Sequence, residues 1–196
     1  MTNDETEKTG TQPIGSEVKF QVVYADTDTL SSFLNRNSFG YFMKVFEALD
    51  AEIIISKMVL DELRHDDSKT SIRMEPIEQM LQEQRIFIED IDPISDKADT
   101  YYELCDIMDA GEASALALAK HSERKAVVAS NNMRDIAEYA RENNIELWPT
   151  AKILQKAVDL KIMTMDSANK LWKKMKKDGL RLPLYDTFET YYQENM

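Results

Sequence analysis

Apolar residues along the first three quarters of the chain fall alternately into short continuous runs and into helical spacings. The run KFQVVYA at positions 19–25 is rich in β-branched residues and predicts a strand, whereas Leu30, Phe33 and Leu34 then recur at helical spacing. The same criteria predict further strands at 53–55, 85–90, 126–129 and 145–148. Helical patterns lie between them, at 39–49, 57–64, around 77–81, 99–108, 111–121 and 133–141.

This alternation of strands and helices predicts a three-layer α/β domain with a mainly parallel central sheet over residues 19–150. In such a domain, functional side chains gather at the carboxyl ends of the strands. Residues 151–196 show helical patterns alone, which predicts a helical extension packed on the same domain. Residues 1–18 contain almost nothing apolar to bury, so we expect a disordered tail there.

Composition narrows the class of protein. The chain has 196 residues, of which 43% are hydrophobic, as expected for one globular domain with a substantial core. Its net charge of -12 excludes a general electrostatic attraction to nucleic acid, so any polyanion must meet a local basic patch. A single cysteine, Cys105, excludes an internal disulfide and a zinc cluster. No signal peptide or membrane-spanning segment is evident, and we expect a cytoplasmic location without membrane contact.

Acidic residues follow several of the predicted strands. Asp26 and Asp28 come directly after the first strand, Glu62 lies in the helix after the second, and Asp109 and Glu112 flank a helix start at Gly111. Carboxylates that converge in this way repel one another unless a cation joins them. Mg²⁺ or Mn²⁺ prefers such oxygen ligands, and it supports hydrolysis of phosphodiesters.

An alternative explanation is equally simple. Acidic residues make up 36 of the 196 positions, so some must fall near strand ends by chance. Asp at a helix N-cap and Glu in a first helical turn are also ordinary capping choices. The positions of the acids are therefore compatible both with a metal cluster and with plain helix capping.

Three segments resemble the motifs of PIN-domain ribonucleases. YADTDTLSSFL resembles their opening strand and Asp motif, IIISKMVLDEL their second strand with its Glu-bearing helix, and DAGEASALALA their Gly-Glu-Ala helix. The similarity covers about residues 20–150, and the segment after 151 is similar to the helical extension of a bacterial and phage branch of these proteins. The resemblance implies a PIN-like fold, an acidic pocket for Mg²⁺ or Mn²⁺, and endonucleolytic cleavage of RNA, often by a VapC-like toxin paired with an antitoxin. It also implies a homodimer.

The resemblance assigns the metal-binding and catalytic positions to Asp26, Glu62 and Glu112. At the fourth position the family usually has an Asp after a strand, whereas this chain has an amide-rich segment followed by Asp135. Either Asp135 substitutes as a ligand, or the nuclease is weakened, or the pocket is a relic. Residues expected around the metal ligands or near the substrate are Asp28, Asp109, Ser130, Asn131 and Asn132.

Basic residues concentrate in the predicted extension. Four lysines share one face of a predicted helix, with an arginine following it, and these are the candidates for contacts with an RNA backbone: Lys170, Lys173, Lys174, Lys177 and Arg181. A solvated helix face is an equally simple explanation, and docking on an acidic partner is a third.

Three functions are therefore compatible with the sequence. The first is a divalent-metal-dependent endoribonuclease, in the manner of a toxin. The second is a non-catalytic PIN-like interaction protein, favoured by Asn131 and Asn132 at the fourth position. The third is a haloacid-dehalogenase-like phosphatase, because DTDTL resembles the nucleophile loop of that class. That loop has a Gly between its second Asp and its Thr, which this chain lacks between Asp28 and Thr29.

Overall fold

A parallel sheet forms the centre of the computed structural model, which describes residues 21–34, 38–65 and 74–196. Within these ranges there are five strands: β1 Val22–Ala25, β2 Glu52–Ser56, β3 Ile86–Glu89, β4 Ala126–Ala129 and β5 Glu146–Leu147. They stand in the order β3-β2-β1-β4-β5, and all four neighbouring pairs are parallel. The predicted tail at residues 1–18 lies outside the described residues.

Helices connect every pair of consecutive strands and continue after the last one. In chain order they are α1 Thr27–Leu34, α2 Phe39–Ala48, α3 Lys57–His65, α4 Glu75–Gln82, α5 Asp96–Cys105, α6 Ala110–Lys120, α7 Met133–Glu142, α8 Thr150–Asp159, α9 Met165–Lys177 and α10 Phe188–Glu194. Helix α5 begins three residues before the predicted start, because the Ser95 side chain caps it by accepting from the backbone N–H of Ala98. No described helix has the length and apolarity needed to cross a bilayer.

Side chains on the two faces of the sheet enter two different apolar clusters. Val23 and Ile53 point into the cluster that includes helices α1, α2, α8, α9 and α10. Val22 and Ile54 point into the cluster that includes α5, α6 and α7. Successive residues of a strand face opposite sides of its sheet. The three layers are therefore the sheet and one group of helices on each of its faces. The predicted three-layer, mainly parallel α/β architecture is confirmed, with β3 and β5 at the two edges of the sheet.

The helical extension shares a core with the sheet. Trp172 of α9 and Phe188 of α10 are both completely buried, in the same cluster as Phe33 and Phe46. The ring of Trp172 stacks at 5.4 Å on Tyr191. The burial of each of these aromatic side chains stabilises the packing of the extension on the sheet by about 2 kcal/mol. The extension therefore has a fixed position relative to the carboxyl ends of the strands.

Candidate functional site

Asp26 occupies the turn between β1 and α1. Its backbone N–H donates to the carbonyl of Ala129 at 3.0 Å, which joins the carboxyl ends of β1 and β4. Its Oδ1 accepts from the backbone N–H of Thr29 at 2.7 Å and so caps α1. The side chain is 1% exposed. Asp26 is thus held firmly at the carboxyl edge of the sheet.

The second carboxylate oxygen of Asp26 has no hydrogen-bond partner among the described residues. Burial raises the pKa of Asp26 to about 7, and the charge of Asp28 adds to the shift, whereas the Ser130 hydroxyl and the Thr29 N–H oppose it. A buried carboxylate with one unsatisfied oxygen is costly, and such atoms are typical of ligand sites. The Asp26 carboxylate is therefore a candidate cation ligand, and the Ser130 and Thr29 hydroxyls are close enough to act on its charge.

Glu62 reaches the same region from α3. Its Oε2 accepts a hydrogen bond of 2.7 Å from the Thr27 hydroxyl, and Thr27 directly follows Asp26 in the chain. The residue as a whole is exposed, so Glu62 forms the outer wall of the site. Because its carboxylate is fixed on the neighbour of Asp26, the second predicted acid is close to the first.

Glu112 enters from the first turn of α6. Asp109 caps this helix by accepting from the backbone N–H of Glu112 at 2.9 Å. The Glu112 side chain is 4% exposed. Burial raises the pKa of Glu112 to about 7, and the charges of Asp109, Asp26 and Asp28 raise it further, while a hydrogen bond from Asn132 acts in the opposite direction. Glu112 is therefore close enough to Asp26 and Asp28 for their charges to act on it.

Gly111 allows the close approach of α6 to α3. A Cβ atom at this position would lie 2.9 Å from Oε2 of Glu62 and 3.3 Å from the Thr27 hydroxyl. Real Cβ atoms essentially never come as close as the first of these distances. The absence of a side chain at Gly111 thus leaves room for the Glu62 carboxylate to stay on the Thr27 hydroxyl, whereas a Cβ would make this flexible side chain move.

All three predicted catalytic acids line one small cavity of about 20 Å³. A cavity of this volume accommodates about one water molecule or one ion. Its lining residues are Asp26, Thr27, Asp28, Glu62, Asp109 and Glu112. The structure thus brings together residues from three remote segments, including two of the acids expected around the ligands.

The chemistry of this cavity fits a hard divalent cation, but its side chains are not arranged around one. The fit consists of carboxylate donors, an unsatisfied buried oxygen on Asp26, and raised pKa values for Asp26 and Glu112. Across the part of the chain that the structure describes, no group of three His, Cys, Asp or Glu side chains is disposed so that it could hold a metal ion. Binding therefore requires side-chain rotation or retained water ligands.

The amides after β4 form hydrogen bonds with protein groups. Asn131 accepts from the backbone N–H of Thr150 at 2.9 Å and donates to the Ser32 hydroxyl at 3.3 Å, which ties this loop to α8 and α1. Asn132 donates from Nδ2 to Oε2 of Glu112 at 2.9 Å. Ser130 is buried, and its hydroxyl accepts from the backbone N–H of Asn132. Of the residues that follow β4, Asn132 is thus the one whose side chain contacts a predicted metal ligand, Glu112.

Asp135 does not line the small cavity. It is an exposed residue of α7 and lines a larger adjoining cavity of about 640 Å³. The helix begins at Met133, so the residue two positions later is carried outward from the strand end. Asp135 thus lines the cavity next to that of Asp26 and Glu62, and its role as a substitute ligand, one of three alternatives left open by the sequence, stays a prediction.

The predicted basic residues divide into two groups. Arg181 lines the larger cavity, whereas Lys170, Lys173, Lys174 and Lys177 are exposed on α9 and are not among its lining residues. Lys170 forms an ion pair of 2.6 Å with Asp166 on its own helix. The lysine face stays a prediction.

Two features of the site were missed by the sequence analysis. The hydroxyls of Ser56 and Ser114 form a buried hydrogen bond of 2.6 Å, and Ser56 also accepts from the backbone N–H of Val59 at the start of α3. This pair fixes the helix of Glu62 against that of Glu112. A lone hydroxyl in an alanine-rich helix was the available signal for Ser114. The second missed feature is Arg134, which lines the larger cavity.

A parallel sheet with acids from three segments at its carboxyl edge is the architecture of PIN-like α/β domains. A family model described as PIN domain matches residues 22–187, and the chain belongs to this family. Proteins of the family are generally nucleases that use divalent metal ions.

Two solved structures of low sequence identity are similar to the chain. One is described as VapBC2 from Rickettsia felis bound to a DNA fragment from the promoter, with 22% identity, a TM-score of 0.46, and coverage of 66% of this chain and 98% of that one. The other is described as DNA-bound VapBC from Salmonella typhimurium, with 17% identity, a TM-score of 0.48 and the same coverages. No curated protein matches the chain.

Proposed function

We propose that the protein is a divalent-metal-dependent endoribonuclease that hydrolyses RNA phosphodiester bonds. The observation that carries this proposal is the small cavity lined by Asp26, Glu62 and Glu112, together with the buried Oδ2 of Asp26 that has no hydrogen-bond partner among the described residues. Structural capping alone leaves this oxygen unexplained, because only Oδ1 serves α1. Membership of the PIN-domain family supports the same reaction.

Asp26, Glu62 and Glu112 are the residues that would hold Mg²⁺ or Mn²⁺. When bound, such an ion lowers the pKa of a water ligand and neutralises charge that develops on the phosphate. The chain itself orients the ligands: Thr29 fixes Asp26, and Thr27 fixes Glu62. Burial raises the pKa values of Asp26 and Glu112 to about 7 in the metal-free chain, so below neutrality a cation must displace a proton from each of them and its affinity should rise with pH.

Cleavage of a single-stranded RNA with and without Mn²⁺ tests this proposal. We expect wild-type cleavage that requires the metal, and a loss of at least about 100-fold in Asp26→Asn. Asp106→Asn makes the same chemical change at an exposed helix end and serves as the matched control. Metal-dependent cleavage that is undiminished in Asp26→Asn would contradict the proposal, as would release of phosphate from a phosphomonoester without strand scission.

A second candidate function is a non-catalytic interaction protein. Two observations favour it: Asn132 replaces the usual acid with a hydrogen-bond donor to Glu112, and the described acids are not arranged around an ion. A protein of this kind would show neither cleavage nor a Mn²⁺-dependent rise in Tm. The match to a PIN-domain family argues against the phosphatase alternative.

We also propose an antitoxin protein as partner and a homodimer as the assembly. The resemblance of the sequence motifs to VapC-like toxins supports both. A small adjacent gene for a DNA-binding protein that copurifies with this chain would support the first. Light scattering coupled to gel filtration measures the second, and a mass of 22.6 kDa in solution would contradict it.

A further inference from the structure

Two arginines line the larger cavity from distant parts of the chain. Arg134 lies in the first turn of α7, and Arg181 lies just after α9. Within the described ranges neither guanidinium has a hydrogen bond or an ion pair, although the charge of Arg181 lowers the pKa of Asp28 against the stronger effect of burial. The same cavity is also lined by five acids, which are Asp28, Asp109, Glu112, Asp135 and Asp178. The two arginines, neither of which is tied up in a hydrogen bond or ion pair with a described residue, are therefore the points in this cavity at which an anionic group can bind.

The larger cavity is continuous with the acidic one. Asp28, Asp109 and Glu112 line both, so a ligand in the larger cavity adjoins the proposed metal ligands. The volume of about 640 Å³ lies in the range of small-molecule sites. A ligand of the size of a nucleotide in this cavity would place its backbone beside the acids.

Arg181 is positioned by the turn that ends α9. The backbone N–H of Gly179 donates to the carbonyl of Lys176, and that of Leu180 donates to the carbonyl of Met175 at 3.0 Å, which is the pattern of a Schellman motif. Gly179 has a φ of +83°, which side-chain-bearing residues rarely adopt. Met175 is completely buried in the core. The arginine is thus held by a rigid part of the extension.

The start of α7 adds to the attraction for an anion. Asn132, Met133, Arg134 and Asp135 all line the cavity, so the amino end of this helix opens into it. The Asn132 side chain makes no capping bond to α7, because it donates to Glu112 instead. The N–H of Met133 already donates to the carbonyl of Asn131, so what this helix start adds to the two arginines is the positive end of its dipole.

We propose that the larger cavity is a nucleotide subsite for single-stranded RNA, in which Arg134 and Arg181 bind backbone phosphate and Met133 and Leu180 contact a base. This inference rests on the proposed ribonuclease function. Met133 is 41% exposed and Leu180 is half-buried, so both offer apolar surface to a base. The bases of an A-form duplex face inward, so a concave cavity of this size selects an unpaired nucleotide.

Binding to a labelled single-stranded RNA, measured by fluorescence anisotropy with EDTA present, tests the subsite. The parent is full-length Asp26→Asn, so binding is measured without cleavage. We expect Arg134→Ala and Arg181→Ala each to raise Kd about tenfold, because each removes a charged phosphate contact. The slope of log Kd against log salt concentration should fall by about 0.7 for each arginine removed. Arg141→Ala, on the exposed far end of α7, should keep Kd within about twofold.

Three controls keep the inference falsifiable. Circular dichroism confirms that the exposed Arg181→Ala variant is folded, and Arg181→Lys should recover part of the lost affinity because it restores the charge. The same RNA annealed into a duplex should show Kd changes of less than about threefold. Unchanged Kd in both arginine variants would overturn the subsite, and so would equal losses on duplex and single strand.

The outcomes separate this inference from the proposed function. If wild-type protein cleaves RNA with Mn²⁺ but Arg181→Ala changes neither Kd nor KM, the subsite is wrong and the ribonuclease proposal stands. If the arginine variants weaken RNA binding but the wild-type protein cleaves nothing, the cavity binds RNA and the ribonuclease proposal is wrong. Absence of any RNA binding by the parent overturns the subsite.

Discussion

Asn132 donates a hydrogen bond of 2.9 Å from Nδ2 to Oε2 of Glu112, so the side chain after β4 stabilises the ionised form of that acid. An aspartate at the same position would be an acceptor without a proton and would repel Glu112. The amide therefore lowers the electrostatic repulsion within the metal-free pocket. It also lacks the negative charge with which an aspartate would attract a cation.

Asn132→Asp should exchange stability for metal affinity. Without metal we expect the free energy of unfolding to fall by about 1 kcal/mol, because two carboxylates then face each other. Mn²⁺ should raise Tm more in this variant than in the wild type, because the ion joins an additional anionic ligand. Thermal melts with EDTA and with Mn²⁺ measure both effects. Asn144→Asp is the matched control at an exposed residue after α7, and an equal response in both variants would contradict the prediction.

The metal-free protein should lose stability as pH rises towards 7. The pKa of Asp26 lies near 7 in the folded chain against an ordinary value of 3.8, so the folded state holds the proton more tightly than the unfolded state. Stability is therefore greatest below about pH 4 to 5 for this group and falls until pH passes about 7. Asp26→Asn should be more stable than wild type by about 4 kcal/mol at pH 8 in EDTA, with no difference expected near pH 4.

Chemical denaturation at a series of pH values measures this difference. A divalent ion should reverse the order, because it stabilises the charged form of the wild type and not the amide. A stability gap between the two proteins that does not vary with pH would contradict a raised pKa for Asp26.

Gly111→Ala should disable the site with little effect on the fold. The new Cβ would stand 2.9 Å from Oε2 of Glu62, so the carboxylate must move away from Thr27. We expect RNA cleavage to fall at least about tenfold, while the higher helix propensity of alanine offsets part of the strain. Gly40→Ala is the matched control, because a Cβ there meets nothing within 4 Å. It should raise Tm slightly and leave cleavage unchanged.

Ser56→Ala should loosen α3 against α6. The hydroxyl of Ser56 bonds to Ser114 and accepts from the backbone N–H of Val59. Its removal leaves the buried N–H of Val59 without this acceptor, while Ser114 keeps its bond to the carbonyl of Gly111. We expect a loss of about 1 to 2 kcal/mol in the free energy of unfolding. Mn²⁺ titrations followed by Tm should show weaker binding as well, since Glu62 lies on α3. Ser122→Ala, which removes a half-buried loop hydroxyl that accepts from the backbone N–H of Arg124, should leave Mn²⁺ binding unchanged.

Local patterns in the sequence were sufficient to predict the fold. Strands such as Ala126–Ala129 are continuous apolar runs, and the alternation with helices requires parallel pairing. Parallel pairing in turn places Asp26 and the start of α3 at one edge, which is why the convergence of acids was predictable. The prediction of the fold depends only on apolar patterns within short segments and on the general rules by which strands and helices are connected.

The hydrogen bonds of the site could not be predicted in the same way. Which group the Asn132 amide contacts depends on the position of a helix twenty residues earlier, and the Ser56–Ser114 bond joins residues 58 positions apart. Likewise, Arg181 was grouped with four lysines by sequence, but the Schellman turn at Gly179 directs it away from them. Such relationships arise from tertiary packing, and one sequence does not reveal them.

The complete burial of Trp172 limits how this chain can be shortened. Its indole and the ring of Phe188 fill the same core as Phe33 and Phe46, on the sheet face that also supports α1. Cutting the chain at residue 150 would expose the apolar side chains that now pack on α8, α9 and α10, and it would also remove Arg181 from the larger cavity. We expect such a fragment to aggregate, so the helices after residue 150 are needed for the α/β domain to stay folded in solution.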